Sequence, residues 1–187
     1  MKIGFAPGDA RKMVAAATHD AHLRLHVEPV LHNLTQADIT HQGYCDALLV
    51  LAPVFCAVEA ARLAEKLWPQ FSLASDITAM RQDLKNACLP KASLPLVNEW
   101  QVLGGLYVTL GSAFGRNSFR ATVERAMPEK STRFVSRHVP ANSWRELVST
   151  LDTVTGNQAA LCNVIDGAQR SFMQIELLCA ALPHKRK

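Results

Sequence analysis

The segment Gly104-Gly-Leu-Tyr-Val-Thr-Leu-Gly-Ser-Ala-Phe-Gly115 decides the fold, because its glycines recur with a helical period. At about 100° per residue, Gly104, Gly111 and Gly115 fall on one stripe of a helix. Val108 lies beside this stripe. The opposite side carries apolar side chains that suit a protein core: Val102, Leu103, Leu106, Leu110, Ala113 and Phe114. The segment therefore predicts a helix with one packed face and one nearly bare face.

The bare face has two interpretations. Each glycine inside a helix costs about 0.8–1 kcal/mol relative to alanine, so we expect the freed space to have a use. Close packing against a second helix is one such use. A flat ligand that lies against the helix backbone, with Ser112 facing it, is the other. Under either interpretation we expect a methyl group at Gly111 to be harmful.

The rest of the chain also shows helical periodicity, with few alternating runs of β-branched residues. We predict an all-α chain of six to seven helices in a single domain over residues 1–187, with flexible ends at 1–8 and 183–187. The expected helices cover 9–28, 37–68 with a kink at Pro53, 75–87 capped by Ser75, 97–126, a helix that starts at a Ser143-Trp-Arg-Glu146 capping box, and 158–182.

The composition excludes several classes of protein. Hydrophobic residues make up 49% of the chain and charged residues 19%, which excludes a disordered chain. The five cysteines include no C-x-x-C pair, so they predict neither a disulfide framework nor a zinc knuckle. A net charge of +4 favours an anionic ligand but is too mild to predict nucleic-acid binding. Without a signal sequence or an apolar run of membrane length, we expect a cytoplasmic protein that does not enter membranes.

Histidines on the first predicted helix indicate a second functional element. His19, His22 and His26 share a face, but no carboxylate or cysteine accompanies them, which disfavours a dedicated zinc site. His22 borders the apolar stripe of that helix, at the edge of the core. An imidazole there is either a hydrogen-bonded structural residue or an axial ligand of haem iron. A haem needs such a ligand on one side and a smooth wall on the other, and the bare helix offers that wall.

Two motifs carry a family resemblance. Ala17-Thr-His-Asp-Ala-His22-Leu-Arg-Leu resembles the proximal motif of bacterial haem oxygenases, in particular the biliverdin-producing type found with bacteriophytochromes. Tyr107-Val-Thr-Leu-Gly111-Ser-Ala-Phe-Gly115 resembles the distal motif of the same family. Segments 40–49 and 164–172 are similar to its second and final helices. The resemblance implies the haem oxygenase fold, with haem between the first helix and the glycine-rich one.

The resemblance also implies the chemistry. Haem is both substrate and cofactor, and oxygen with an external electron donor, such as ferredoxin or a reductase, converts it to biliverdin, carbon monoxide and ferrous iron. A bacteriophytochrome is the implied acceptor of the biliverdin. His22 binds the iron, Gly111 and Gly115 steer oxygen towards one meso carbon, and Ser112 anchors water. The remaining cofactor-binding residues are Tyr107, Val108, Arg11, Lys12, Arg116 and Arg145.

The sequence departs from the family pattern at several positions. His26 stands where a carboxylate usually follows the proximal histidine, Ala15 replaces a basic residue, and Leu110 replaces the distal glutamate. These departures leave open a haem-binding or carrier protein of the same fold that has no turnover. A third interpretation, a thiaminase-like enzyme with a cysteine nucleophile, lacks acidic partners around Cys45, Cys56 and Cys162.

Overall fold

The computed structural model describes residues 8–182, apart from the side chain of Ala141. All regular structure within this part is helical, which confirms the all-α prediction. It contains nine α-helices: α1 (Asp9–Val27), α2 (Pro29–His32), α3 (His41–Ala64), α4 (Ala74–Asp83), α5 (Glu99–Gly115), α6 (Arg120–Ala126), α7 (Arg133–Ser136), α8 (Ala141–Asp152) and α9 (Gln158–Ala181). Two of these, α2 and α7, are single turns of four residues each. The expected flexible ends, except Gly8, fall outside the described residues.

The predicted boundaries are wrong where tertiary contacts override local signals. The helix expected over 97–126 is divided into α5 and α6 by a 3-10 turn at Arg116–Ser118. Pro53 is buried and does not interrupt α3. The two predicted serine caps are also wrong, since α4 and α8 begin after Leu73 and Pro140, which place Ser75 and Ser143 inside those helices.

Helix α3 forms much of the core. It is long and apolar enough to cross a membrane by length and composition, yet 61% of its apolar window is buried inside the protein. Burial of this kind is what a helix that is hydrophobic all round shows in the core of a soluble protein. The expectation that no segment has the length and composition of a membrane span is therefore wrong for α3, although most of its apolar window is buried.

Helices α5 and α9 pack backbone to backbone through two glycines. A Cβ atom built on Gly104 would lie 2.6 Å from the backbone nitrogen of Ala168, and one on Gly167 would lie 2.6 Å from Cα of Gln101. Neither position has room for a side chain. Gly104 thus belongs to a helix interface, which corrects the expectation that it shares a ligand-facing stripe with Gly111 and Gly115.

Substitutions of Gly104 and Gly111 by alanine should therefore have opposite effects on the free energy of unfolding. Gly104→Ala should lower the free energy of unfolding by about 1–3 kcal/mol or more, because backbone of α9 must move. Gly111→Ala should be neutral or stabilising by up to about 1 kcal/mol, because its Cβ would lie 3.7 Å from the Trp144 ring, an ordinary contact, and alanine favours helix. This corrects the expectation that a methyl group at Gly111 disturbs helix packing. Urea unfolding of both variants measures the difference; equal destabilisation would contradict this packing.

Buried carboxylates hold α7 against the rest of the fold. Asp83 accepts a hydrogen bond from the Tyr44 hydroxyl at 2.7 Å and one from the backbone nitrogen of Phe134 at 2.9 Å. Oδ1 of Asp76 lies 2.8 Å from the guanidinium of Arg116 and 2.9 Å from that of Arg137. These contacts position Phe134, whose ring contributes to the cavity described below.

Candidate functional site

A cavity of about 370 Å³ opens between α1, α5 and α9. This volume falls within the range of roughly 300–1,000 Å³ that is usual for small-molecule sites. Helix α5 contributes Tyr107, Val108, Gly111, Ser112 and Gly115 to the lining. Among the described residues, no carboxylate and no lysine or arginine lines the cavity. The site therefore suits a largely apolar ligand whose charged groups project towards the opening.

The wall formed by α5 is flat because two of its residues lack side chains. A Cβ on Gly115 would meet nothing within 4 Å, so the space beside this residue is open. The hydroxyl of Ser112 donates to the Thr109 carbonyl at 2.9 Å, which leaves its oxygen lone pairs free to accept hydrogen bonds. The wall thus offers bare backbone and one hydroxyl acceptor to whatever lies against it.

Aromatic side chains that sequence reasoning missed complete the cavity. The ring of Trp144 lies 5.8 Å from that of Tyr107 and 5.6 Å from that of Phe114. Trp144 covers Gly111. Phe114, which was expected in the core, is only half-buried and contacts Trp144. Phe134 and Phe172 also line the cavity. Trp144 appears in the sequence only as part of a capping motif, so no signal along the chain indicated that it faces α5.

Three histidines line the cavity, and they differ in their hydrogen bonds. His32, which the sequence analysis did not select, has both ring nitrogens engaged, with the His26 carbonyl at 3.2 Å and the Gln36 amide at 2.8 Å. The rings of His22 and His26 form no hydrogen bond with any described residue. Their centroids are 4.5 Å apart, and the His22 ring also contacts Phe172 at 6.0 Å. Two unbonded imidazoles therefore lie on the side of the cavity formed by α1.

The environment of His22 favours the neutral imidazole. Burial lowers the pKa of His22, and the neighbouring charges of His26 and His19 lower it further. A neutral imidazole has a lone pair available for a metal ion, whereas an imidazolium has none. His22 can therefore act as an iron ligand at neutral pH.

The lowered pKa of His22 predicts a specific pH dependence. In the apoprotein its ring should titrate below about 6.5, the value for an unperturbed histidine. The folded chain then binds fewer protons than the unfolded chain, so His22 contributes stability above this pH that is lost as the pH falls through its folded pKa. Histidine proton resonances followed by NMR measure the midpoint. His26→Gln should move it upwards by removing one cause, and a His22 midpoint above about 6.5, the value for an unperturbed histidine, would contradict the assignment.

The predicted basic residues take up different positions. Burial raises the pKa of the Tyr107 hydroxyl, and Arg11 lies close enough to offset part of this increase. Arg11 forms no ion pair with any described residue. Lys12 contacts Asp9 at 3.0 Å, and the exposed Arg145 donates to Asn142 at 3.4 Å. None of the three lines the cavity itself. Among the described residues, Arg11 is therefore a cation without an ion pair that lies beside the cavity residue Tyr107.

Arg116 does not flank the ligand space, which corrects the expectation for this residue. Its side chain is fully buried, pairs with Asp76 at 2.8 Å and donates to the Phe134 carbonyl at 2.8 Å. The guanidinium also lies 4.6 Å from the centre of the Phe134 ring. Because a buried arginine is stable only when it is paired, these contacts draw the chain inwards and end α5 at Gly115. Arg116 thus supports the cavity wall from behind.

The residues fit a haem in three respects. The backbone at Gly115 faces open space, the backbone at Gly111 is covered by the Trp144 ring, and the unbonded ring of His22 contributes a metal-ligating nitrogen to the same cavity. The apolar lining with no charged side chain among the described residues also suits a porphyrin ring.

Comparison with known proteins supports the fold. No family model and no curated protein matches the sequence. The structure is similar to the NO- and CO-bound haem oxygenase of Neisseria meningitidis, with a TM-score of 0.71 and 22% sequence identity, over 95% of this chain and 94% of that one. The chain therefore has the fold of a bacterial haem oxygenase.

Proposed function

We propose that this chain is a haem oxygenase, which opens the porphyrin ring of haem to biliverdin and releases carbon monoxide and ferrous iron. The observation that carries the proposal is the pairing of the unbonded His22 imidazole and the bare Gly111–Gly115 backbone in one cavity. The fold supports it independently. When bound, haem supplies the iron at which oxygen is activated and the ring that is oxidised.

His22 holds the iron in this proposal. Its position on the rigid helix α1 fixes the direction of the ligating nitrogen, and contact with Phe172 restricts the ring. A neutral histidine as the protein ligand leaves the iron reducible by an external donor. His26 lies beside His22, in the position where a carboxylate would make the ligating imidazole more basic. Because no carboxylate is present there, His22 would bind the iron as a neutral donor.

The α5 wall determines where the substrate is attacked. Gly111 and Gly115 would allow the porphyrin to lie close to the backbone of α5. That backbone would then limit the directions in which a small molecule between it and the porphyrin can lie. The Ser112 oxygen accepts a hydrogen bond from water and so holds a proton source inside the cavity. With no carboxylate in the described lining, protons arrive through water and not from an adjacent acid.

Arg11 binds a haem propionate together with Tyr107, and this assignment is testable. Arg11→Gln should change the ratio of biliverdin isomers because it alters the orientation of the ring. The loss of binding free energy should be only about 1 kcal/mol or less, as for other exposed ion pairs. Lys12→Gln is the matched control, since Lys12 already pairs with Asp9. Chromatography of the products measures the ratio, and an unchanged ratio in Arg11→Gln contradicts the assignment.

The proposed activity is tested by adding hemin to the purified apoprotein and then supplying ascorbate, or ferredoxin with its reductase, in air. Catalase is present to remove free peroxide, which also degrades haem. We expect the Soret band to give way to the broad red absorption of biliverdin, with carbon monoxide trapped by ferrous myoglobin. A haem complex that stays intact through repeated reduction would rule out the oxygenase.

A haem carrier of the same fold is the second candidate. His26 in the place of a carboxylate and the absence of acidic groups from the described lining favour it, because both reduce the means of activating oxygen. In that case the same experiment gives tight binding, a stable oxygen complex and no ring opening.

The proposal extends to partners and location. The reaction needs electrons that the described residues do not provide, so an external donor such as ferredoxin or a reductase completes it. The motifs around His22 and Gly111 are similar to those of bacteriophytochrome-associated enzymes, which makes a bacteriophytochrome the proposed acceptor of the biliverdin. Both partners act in the cytoplasm, where we place the protein.

A further inference from the structure

We propose that His22 and His26 together form a site for a divalent first-row metal ion, and that its natural occupant is the ferrous iron released by the reaction. The existence of the metal site is argued from the histidine pair alone. The identity of the occupant, ferrous iron, rests on the proposed haem oxygenase activity. The ring of His26 has no hydrogen-bond partner among the described residues and contributes to the same cavity as His22.

The geometry of the pair fits two ligands of one ion. Residues four apart lie on the same face of a helix, and α1 is continuous through both positions. An imidazole nitrogen lies about 2.0–2.1 Å from a bound first-row ion, which puts the ring centre roughly 3.2 Å away, and two rings at right angles about the ion then have centres about 4.5 Å apart. The observed separation of the His22 and His26 centroids is 4.5 Å. Neither ring makes a hydrogen bond to a described residue that would have to break before it turned towards an ion.

The rest of the surroundings make this a transient site. Within residues 8–182, no group of three or more histidine, cysteine or acidic side chains is arranged to hold a metal ion. Water must fill the remaining positions, so the site binds an ion and also lets it go. The 4.5 Å separation of the ring centres would allow a right angle at the ion, which suits the octahedral or tetragonal preference of ferrous iron, nickel and copper better than the tetrahedral preference of zinc.

In this proposal the histidine pair would hold the ferrous ion between ring opening and its release from the protein. His22 is the iron ligand in the proposed reaction, and His26 is the next imidazole on the same helix face. Once the macrocycle opens, His26 can bind the ion that His22 already holds, while water completes its shell. A bound haem and a free metal ion then compete for His22.

Nickel is the probe for the site itself, because it binds imidazole more strongly than ferrous iron and does not oxidise in air. Calorimetry on the untagged apoprotein near neutral pH should show binding, and NMR should show selective broadening of the His22 and His26 ring resonances. His26→Gln should raise the Kd at least about tenfold, equal to a loss of about 1.4 kcal/mol. His19→Gln is the matched control, since His19 lies on the same helix but outside the cavity lining. No nickel binding, or a larger effect of His19→Gln than of His26→Gln, overturns the site.

Ferrous iron is tested separately, under single turnover with a ferrous chelator present in solution. His26→Gln should deliver iron to the chelator at least about three times faster than the parent chain, when the rate of delivery is expressed per biliverdin formed. Equal rates of delivery overturn ferrous iron as the natural occupant. If haem is not opened at all, the proposed activity and this occupant both fail, whereas nickel binding still decides whether the histidine pair is a metal site.

Discussion

His22→Ala should abolish histidine ligation of haem iron while leaving the helix content unchanged. The side chain is exposed to the cavity and alanine favours helix, so the fold does not depend on it. Removal of partners that merely orient a metal ligand reduces activity by about 10–100-fold, so the loss of the ligand itself should reduce ring opening by more than about 100-fold. The Soret and electron paramagnetic resonance spectra of the hemin complex measure ligation, and far-ultraviolet circular dichroism measures helicity.

Two comparisons make the His22 result specific. His19→Ala should retain the parental spectrum, because this histidine lies on the same helix but does not line the cavity. Imidazole added in solution should restore ligation in His22→Ala by entering the space that the side chain leaves. An unaltered Soret spectrum in His22→Ala would transfer the ligand role to another histidine, with His26 the first candidate because its ring is also unbonded.

Gly111→Leu should suppress ring opening by at least about tenfold, corresponding to about 1.4 kcal/mol or more in the activation barrier. The Cβ has room beside Trp144, but the further carbons of leucine must enter the cavity or displace that ring. Leucine also favours helix over glycine, so the variant should remain folded. Biliverdin production after hemin loading measures the effect.

Gly156→Leu is the matched control for Gly111→Leu. Gly156 is exposed, and a Cβ there meets nothing within 4 Å, so the same substitution adds bulk away from the cavity. Its turnover should equal that of the parent chain. Normal turnover in Gly111→Leu would mean that the substrate does not need the space beside this glycine.

Much of the fold and part of the site could be predicted from the sequence. The sequence predicts α1 and α9 to within one residue at each end, because Pro29 follows α1 and Gly156 precedes α9. His22 and Gly111 were selected from spacing along single helices, and both line the same cavity. Such features can be derived because they depend on residues that are neighbours in the chain.

The remaining features depend on contacts between distant segments. Gly104 and Gly111 have the same helical phase, so only the approach of α9 at one end of α5 and of Trp144 at the other separates their roles. The sequence assigns Arg116 to the cofactor, because its true partner Asp76 is far away in the chain. The His22–His26 pair was visible as a spacing, but that His32 has both nitrogens engaged whereas these two do not could be learned only from the structure.

The central claim is that the cavity between α1 and α5 is the haem site. A crystal structure of the hemin complex tests it most directly. We expect the porphyrin to lie against the backbone of Gly111 and Gly115, with the ring nitrogen of His22 as the protein ligand of the iron and Tyr107 and Arg11 at the propionates. A haem bound outside this cavity, or iron held by another residue while the His22 ring stays free, would contradict the account.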